Sequence, residues 1–275
     1  MGRPKIYNIN ESYFNTSLNE KKAYFLGLIL SDGHLNYDRG CFQYACKKGD
    51  VEIIQFIKNE LESTHPIKEY EINGNWYVRF NITNKKFVTT LIDKFDLPKL
   101  NKSKNNLCVP KNIPDDILHH FLRGMFDGDG SVWTSSKKED YCFSFTGGEN
   151  LMIELKSLFD KKLGLSGYIG YRYSKMNKNS CNLSYHGNLV TSKFFDYLYE
   201  NATCFLNRKY EKFKKCKQVA DKTIQYRFDL NGNEQKINDM YVSGISQKQI
   251  SVQLGLVFSS VRGCVQRLRR NNVIF

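Results

Sequence analysis

The sequence lacks a long apolar segment of any kind. No uncharged apolar run approaches the roughly 18 residues that a membrane span requires, and the amino terminus has no apolar core of a signal peptide. We therefore expect a protein that is neither inserted in a membrane nor secreted, and we expect it to be cytoplasmic.

Clustered metal-binding cysteines are also missing. The eight cysteines are scattered, without a Cys-x-x-Cys pair and without a neighbouring group of cysteines and histidines. Zinc sites and disulfide frameworks depend on such spacing, so we expect neither of them. Reduced thiols are the expectation.

Negative charge is scarce relative to positive charge. The chain has 28 acidic residues against 41 Lys and Arg, a formal net charge of +13. Phosphate backbones are bound largely through Lys and Arg, so this excess indicates a polyanionic partner, although a merely soluble basic protein would have the same composition. The hydrophobic content of 41% indicates a folded chain, and 275 residues suit one larger domain and a smaller one.

What the sequence does contain is an internal repeat. The segment 24–35, YFLGLILSDGHL, is echoed by 121–132, FLRGMFDGDGSV. Segments with period-two alternation and amphipathic helices follow both copies at matching distances. The predicted unit is α-β-β-α-β-β-α, used twice, which places the chain in the α+β class with antiparallel sheets.

Each copy of the repeat has small residues four apart on one helical face. These are Gly27 and Ser31 in the first copy, and Gly124 and Gly128 in the second. Small residues at this spacing let two helix backbones approach closely, and the approach would bring together the acids that follow, Asp32 and Asp129. Two neighbouring carboxylates repel unless a cation lies beside them, and Mg²⁺ prefers such oxygen ligands. The alternative is that each Asp-Gly pair only forms a turn after its helix.

These two segments resemble the LAGLIDADG motif of homing endonucleases. The matching stretches are 25–33, FLGLILSDG, and 122–130, LRGMFDGDG, and the repeat covers about residues 10–219. Two copies in one chain resemble the single-chain members, whose fold is two αββαββα halves with saddle-shaped antiparallel sheets. The resemblance implies cleavage of both strands of double-stranded DNA with Mg²⁺ (or Mn²⁺) bound by Asp32 and Asp129. The first copy departs from the motif at Leu30, where the second has Asp127, but this is not the metal-binding position.

The same resemblance implies a basic residue near each active centre. By position the best matches are Lys102 and Lys209, which we therefore count with the two acids as catalytic candidates. Neighbouring residues that could take this role instead are Lys104, Lys111 and Arg208. A lysine there would stabilise negative charge developing on the phosphate. A plain contact with the DNA backbone or a solvated charge is the alternative for each.

The polar faces of the repeated strands are the expected DNA-binding surface, because a two-stranded ribbon fits the major groove. In segment 76–83 we expect Trp76, Val78, Phe80 and Ile82 to be buried, and in segment 181–186 Cys181, Leu183 and Tyr185. The DNA-binding candidates on the opposite faces are Gln43, Lys47, Tyr77, Arg79, Asn81 and Thr83 in the first half, and Arg172, Asn182, Ser184 and His186 in the second.

Beyond residue 220 the pattern changes to three short helices, at 234–242, 247–254 and 259–270. Their spacing is typical of a helix-turn-helix, with Arg262 and Arg267 on the last helix as DNA-binding candidates. We predict N-caps at Ser246 and Ser259, and a capping box formed by Ser17 and Glu20 before the first motif helix.

The predicted domains are a basic extension (1–16), two LAGLIDADG halves (17–112 and 113–219), a linker (220–233) and a helix-turn-helix domain (234–275). The expected function is that of a monomeric homing endonuclease with an asymmetric target of about 20 base pairs or more. Two alternatives share the fold: a non-cleaving transcription regulator and an RNA-binding intron maturase. Retention of both acids favours the enzyme, and the helix-turn-helix favours DNA over intron RNA.

Overall fold

The computed structural model describes residues 6–97, 107–135, 140–174, 177–230 and 232–270, with backbone placement only for 135, 172–174, 177–179 and 223–230. The chain separates into two compact units, Met1–Lys214 and Lys215–Phe275. No helix among the described residues has the length and apolar character of a membrane span.

The first repeat folds as the predicted αββαββα unit. Its elements are α1 (Glu20–Ser31), β1 (His34–Asn36), β2 (Cys41–Lys47), α2 (Val51–Glu60), β3 (Ile67–Ile72), β4 (Asn75–Thr83) and α3 (Lys85–Phe95). A short 3-10 helix, Lys48–Asp50, leads into α2. The four strands form one antiparallel sheet in the order β1-β2-β4-β3.

The second repeat has the same order of elements. These are α4 (Leu118–Asp129), β5 (Gly130–Ser135), β6 (Asp140–Gly148), α5 (Glu149–Leu163), β7 (Tyr168–Ser174), β8 (Asn177–His186) and α6 (Asn188–Tyr199). The sheet order, β5-β6-β8-β7, reproduces that of the first half strand for strand. The α+β class and the duplication predicted from the sequence are confirmed.

Strand alternation sets which residues enter the core. The buried faces of β4 and β8 carry Val78, Phe80, Ile82, Cys181, Leu183 and Tyr185, as predicted. In the second half Phe143 of β6 stacks on Phe194 of α6, with ring centroids 3.8 Å apart, and on Phe126 of α4 at 5.2 Å. These aromatic contacts hold the sheet against its helices.

One predicted burial and one predicted exposure are wrong. Trp76 is 51% exposed because it lies near the β3–β4 turn, opposite Glu71, where the Lys48 ammonium lies 5.3 Å from its ring centroid. Ser184, expected on an open polar face, is 5% exposed. Its short side chain lies in the middle of the sheet, between Ser144 of β6 and Tyr168 of β7.

Helix starts were predicted with mixed success. The N-cap predicted at Ser246 is confirmed, and the structure adds a capping box between Ser246 and Gln249. The box predicted for Ser17 is wrong, because α1 begins one residue after Asn19, whose side chain accepts a hydrogen bond from the Lys22 N–H at 3.0 Å. The cap at Ser259 is also wrong, since the last helix already begins at Phe258.

The remaining helices are α7 (Asn207–Leu230), α8 (Glu234–Val242), α9 (Gln247–Leu254) and α10 (Phe258–Arg270). The segment 220–230, expected to act as a linker, is therefore helical. The last three helices have a core of their own, formed by Ile237, Ile250, Val261, Cys264 and Val265. Val261, Cys264 and Val265 thus form a buried apolar stripe along the Arg-rich last helix.

Candidate active site

The two motif helices are in direct backbone contact through their glycines. A Cβ atom placed on Gly27 would lie 2.1 Å from the carbonyl oxygen of Phe121, and one on Gly124 would lie 2.0 Å from that of Tyr24. One placed on Gly128 would lie 2.0 Å from the Ser31 Oγ. Side chains larger than hydrogen would hold the helices apart, so the small residues fix this crossing.

The helix crossing brings the carboxyl ends of α1 and α4 together. Asp32 caps α1, donating its N–H to the Leu28 carbonyl at 3.0 Å, and Asp129 is the last residue of α4. The Asp32 Oδ2 lies 3.1 Å from the position that a Cβ on Gly128 would occupy. Both acids are exposed. They therefore present carboxylates to solvent at one junction, each just before the first strand of its sheet.

Electrostatic influence on buried neighbours also links the two acids. The pKa of the buried Tyr44 hydroxyl is raised well above its usual value by burial, and then by Asp32, Asp127 and Asp129. Burial lowers the pKa of Lys209 to about 8, against the opposing influence of Asp127, Asp32 and Asp129. The junction is therefore a concentrated region of negative charge.

Lys209 closes the carboxyl end of α4. Its Nζ donates to the carbonyl oxygens of Phe126 at 2.6 Å, Asp127 at 2.8 Å and Gly130 at 2.7 Å, and lies 3.2 Å from that of Gly128. The side chain is 7% exposed. A cation at the negative end of a helix dipole is stabilising, and this one also fixes the backbone on both sides of Asp129.

Asp127, whose backbone carbonyl binds Lys209, is 5% exposed. Its Oδ2 accepts hydrogen bonds from the Tyr24 hydroxyl at 2.7 Å and from the Leu206 N–H at 2.8 Å, while Oδ1 makes none among the described residues. Burial raises the pKa of this carboxyl to about 6. Asp127 is therefore turned into the protein, away from the exposed pair of acids.

Sequence reasoning missed Arg123, which is fully buried beside the same helix crossing. Its guanidinium donates to Glu20 at 2.9 Å, to the Leu198 carbonyl at 3.0 Å and to the Cys204 carbonyl at 2.9 Å. It also donates to the Nδ1 of His120, whose pKa burial lowers to about 4. The available signal for this network was an arginine directly between the apolar residues Leu122 and Met125 of a motif helix, separated from the latter by Gly124.

Polar contacts also tie the start of α7 to the first half. Arg208 forms a bidentate ion pair with Asp50, at 2.6 and 2.8 Å. The Asn207 backbone and side chain donate to Glu52 at 2.9 and 2.6 Å. Arg208, an alternative catalytic candidate, is therefore already paired with an acid.

The other basic candidates are less informative. Lys102 and Lys104 lie outside the described residues, so their predicted roles stay predictions. Lys111 is exposed in a turn before α4. Only Lys209 of the predicted lysines is seen against the end of a motif helix.

One face of the first sheet is polar, and the residues that the four strands place on this face include no carboxylate. Register pairs Gln43 with Asn81, Lys47 with Tyr77, and Cys41 with Thr83, while Arg79 lies opposite Ala45 and Lys68. All six DNA-binding candidates of this half thus share one face. The buried Arg79 Nε and Asn81 Oδ1 make no hydrogen bond among the described residues. A bound partner or water would relieve that cost.

The second sheet has a less charged polar face in its described part. Asn182 lies opposite Thr146, whose hydroxyl donates to the Asn182 Oδ1 at 3.2 Å. His186 is exposed, with its Nδ1 3.0 Å from the Cys142 Sγ and its ring at right angles to Trp133. The backbone of Arg172 pairs with Ser180, but its side chain lies outside the described residues.

The two arginines predicted on α10 differ in their surroundings. Arg262 is exposed at the flank of the buried stripe of this helix. Arg267 instead forms an ion pair with Glu234 of α8. Arg262 is thus the better placed of the two for binding a polyanion.

The described residues include no group of three or more His, Cys, Asp or Glu that could hold a metal ion. At the α1–α4 junction the hard oxygen donors are the two exposed carboxylates, Asp32 and Asp129. Mg²⁺ is usually bound through one or two carboxylates, with waters and phosphate oxygens completing its shell. The donor set of the junction fits that pattern.

Comparison with known families agrees with this architecture. Residues 116–200, which span α4 to α6, match the family model of the LAGLIDADG-like domain. No curated protein sequence matches the chain.

Solved structures share the fold over most of their length. The meganuclease I-SmaMI bound to uncleavable DNA is 18% identical, with a TM-score of 0.51, covering 74% of this chain and 91% of that one. I-SmaMI bound to cleaved DNA is 16% identical, with a TM-score of 0.51, and covers 74% and 89% of the two chains. The LAGLIDADG homing endonuclease I-GzeII in complex with its DNA target is 17% identical, with a TM-score of 0.50, and covers 74% and 90%.

Proposed function

We propose that this protein is a site-specific DNA endonuclease that makes a double-strand break in a long, asymmetric target. The observation that carries the proposal is the junction of α1 and α4. There, two closely packed glycine faces bring the exposed Asp32 and Asp129 to one place, each directly ahead of its own sheet. One acid for each DNA strand is the arrangement that a duplicated cutting site requires.

The comparisons support this proposal. The matching structures of I-SmaMI and I-GzeII are endonucleases bound to DNA, and they share the duplicated fold at low sequence identity. The second half of the chain matches the LAGLIDADG-like domain by sequence as well. We infer that the partner is double-stranded DNA, and that the chain acts as a monomer because it contains both halves.

Asp32 and Asp129 would hold the divalent cation, Mg²⁺ or Mn²⁺, together with water and DNA phosphate oxygens. Such a cation, when bound, lowers the pKa of a water and stabilises charge on the phosphate. The role of the protein is to hold the two carboxylates close to one place and to keep them exposed. Lys209, bound to the carbonyls around Asp129, would keep that carboxylate in position and add positive charge nearby.

The polar sheet faces are the proposed base-contacting surfaces. β4 has 9 residues and β8 has 10. At about 3.3 Å per residue, each spans about 30 Å, or roughly 9 base pairs at 3.4 Å per pair. Two halves would therefore cover about 20 base pairs. Because the residues on the two faces differ, the target would be asymmetric.

The unit formed by α8, α9 and α10 is proposed as a helix-turn-helix that adds affinity outside the cut site. Its exposed Arg262 would contact phosphate or base edges. The substitution Arg262→Ala should weaken DNA binding and reduce the slope of log affinity against log salt by about one. It should leave cleavage by the saturated enzyme intact, and an unchanged affinity would contradict this role.

Asp32→Asn and Asp129→Asn test the nuclease proposal. The full-length protein is incubated in Mg²⁺ with a pooled DNA target library, the cut ends are mapped, and the variants are assayed on the selected target. We expect each variant to bind DNA with nearly wild-type affinity and to make no double-strand break. Asp38→Asn is the matched control, because Asp38 is an exposed acid in a turn of the same half.

Three outcomes would contradict the proposal. Full double-strand cleavage by either variant would exclude the assigned acids. Tight, specific DNA binding without cleavage by the wild type would identify a regulator. Failure to cut any DNA, combined with tight binding of an intron RNA, would identify a maturase.

A further inference from the structure

The two motif helices differ at a pair of buried positions that contact each other across the crossing. In the repeat, Tyr24 corresponds to Phe121, and Leu30 corresponds to Asp127. The Tyr24 hydroxyl donates to Asp127 at 2.7 Å. The equivalent positions hold Phe121 and Leu30, which are 0% and 3% exposed and have no polar side-chain atoms. Of the two equivalent pairs of positions, Tyr24 with Asp127 is therefore polar, and Phe121 with Leu30 is apolar.

Asp127 connects this difference to the candidate active site. The same Oδ2 that binds the Tyr24 hydroxyl also accepts the Leu206 N–H at 2.8 Å, immediately before α7. The Leu206 carbonyl accepts the Lys209 N–H at 3.0 Å. From that first turn the Lys209 ammonium reaches the carbonyls of Gly128 and Gly130, on either side of Asp129. A chain of hydrogen bonds thus runs from Tyr24 to the backbone that holds Asp129.

We propose that Asp127, held by Tyr24, is a positioning residue for the cutting centre built around Asp129, and that the two DNA strands depend on it unequally. The inference rests on the proposed function. The Leu30 side chain has no hydrogen-bond acceptor, so it cannot hold a backbone N–H in the way that Asp127 holds that of Leu206. A loosened start of α7 would shift Lys209, and with it the carbonyls around Asp129.

Strand-specific cleavage distinguishes this role from a general effect on folding. A duplex target carrying a different label on each strand is cut in Mg²⁺ by saturating full-length protein, in a single turnover. The strand that depends on Asp129 is identified first as the one left intact by Asp129→Asn. We then compare Asp127→Asn, which keeps the size of the side chain, and Tyr24→Phe, which removes only the hydroxyl.

Asp127→Asn should slow cleavage of the Asp129-dependent strand by about 100-fold, the effect of a misplacement of about 1 Å, and slow the other strand far less. Nicked duplex should therefore accumulate. Tyr24→Phe should change the ratio of the two strand rates in the same direction but to a smaller extent, because Asp127 keeps its bond to Leu206. Leu30→Met, a volume-conserving change at the equivalent position, should leave the ratio unchanged.

The ratio of the two rates comes from the same complexes, so it does not depend on how much of a variant is folded. Equal slowing of both strands by Asp127→Asn would refute the positioning role while leaving the nuclease proposal intact. Unchanged cleavage of both strands would refute it as well. A wild-type protein that leaves every target uncut refutes the proposed function, and this inference with it.

Discussion

The substitution Gly124→Ala tests the close packing on which the site depends. A Cβ on Gly124 would lie 2.0 Å from the Tyr24 carbonyl oxygen and 2.9 Å from its carbonyl carbon. Real Cβ atoms do not approach other atoms closer than 3.0 Å, so the new methyl group is about 1 Å too close to a backbone atom. Because α1 cannot give way by rotating a side chain, the two helices must separate.

The size of the effect follows from that distance. Overpacking a well-packed core costs about 1–3 kcal/mol, and a gap of about 1 Å loses up to half of the dispersion energy between facing atoms. The opposing gain, from replacing a helical glycine by alanine, is about 1 kcal/mol. We expect a net loss of about 2 kcal/mol in the free energy of unfolding, and a fall of about 100-fold in double-strand cleavage.

Urea unfolding followed by circular dichroism measures the first quantity, and linearisation of a target plasmid at saturating protein measures the second. Gly49→Ala is the matched control, since a Cβ on Gly49 meets no atom within 4 Å. It should change stability by less than about 0.5 kcal/mol. Gly128→Ala should have an intermediate effect, because its Cβ would meet the Ser31 side chain, with Oγ at 2.0 Å and Cβ at 2.4 Å, and not a backbone atom.

A Gly124→Ala protein as stable and as active as the wild type would refute the reasoning. So would equal losses for Gly124→Ala and Gly49→Ala, because the first meets backbone and the second meets open space. A loss of stability without a loss of cleavage would show that the distance between Asp32 and Asp129 is not critical. The order Gly124, Gly128, Gly49 is therefore the decisive result.

Two further predictions concern buried charges. Arg123→Met should lower the free energy of unfolding by about 3–5 kcal/mol, because two carbonyls lose their donor and Glu20, although still bound to Thr203, loses its cation. A loss below about 1 kcal/mol in urea unfolding would contradict this prediction. The pKa of Asp127 is raised from 3.8 to about 6, so the folded state binds this proton more tightly. The resulting stabilisation, about 3 kcal/mol, is complete below pH 3.8 and is lost as pH rises through 6. Relative to Asp127→Asn, the wild type should lose stability between about pH 4 and about pH 7, and parallel pH curves would exclude this.

Most of the fold followed from local sequence pattern. Alternation with period two predicted β4 and β8, and amphipathic spacing predicted that helices follow the strands in both repeats, because both patterns depend only on which side of an element is buried. The errors concern residues whose burial depends on neighbours outside their own strand. Trp76 is exposed because it lies near the β3–β4 turn, opposite Glu71, and Ser184 is buried in the middle of its sheet, beside Tyr168.

The candidate site divides in the same way. Asp32 and Asp129 were predicted because small-residue spacing and the repeat itself are visible in sequence, and the glycine contacts agree with that prediction. The resemblance predicted Lys209 near an active centre, but its bonds to the carbonyls at the end of α4 were not predicted, since they join residues about 80 positions apart. Arg123 likewise binds carbonyls 75 and 81 residues away. No periodicity within a helix encodes contacts of this range.

The difference between Leu30 and Asp127 shows why alignment of the repeats was insufficient. Aligned with each other, the copies reveal an acid in one and a leucine in the other. They do not reveal that the Tyr24 hydroxyl of the first copy donates a hydrogen bond to Asp127 of the second. Replacing Asp127 by leucine alone would leave the Tyr24 hydroxyl and the Leu206 N–H buried without an acceptor, at about 1–3 kcal/mol each. Replacing Tyr24 by phenylalanine alone would leave the buried acid with one donor fewer. The Tyr24 hydroxyl therefore depends on Asp127 more than Asp127 depends on it, because the acid keeps its bond to Leu206 when the hydroxyl is removed.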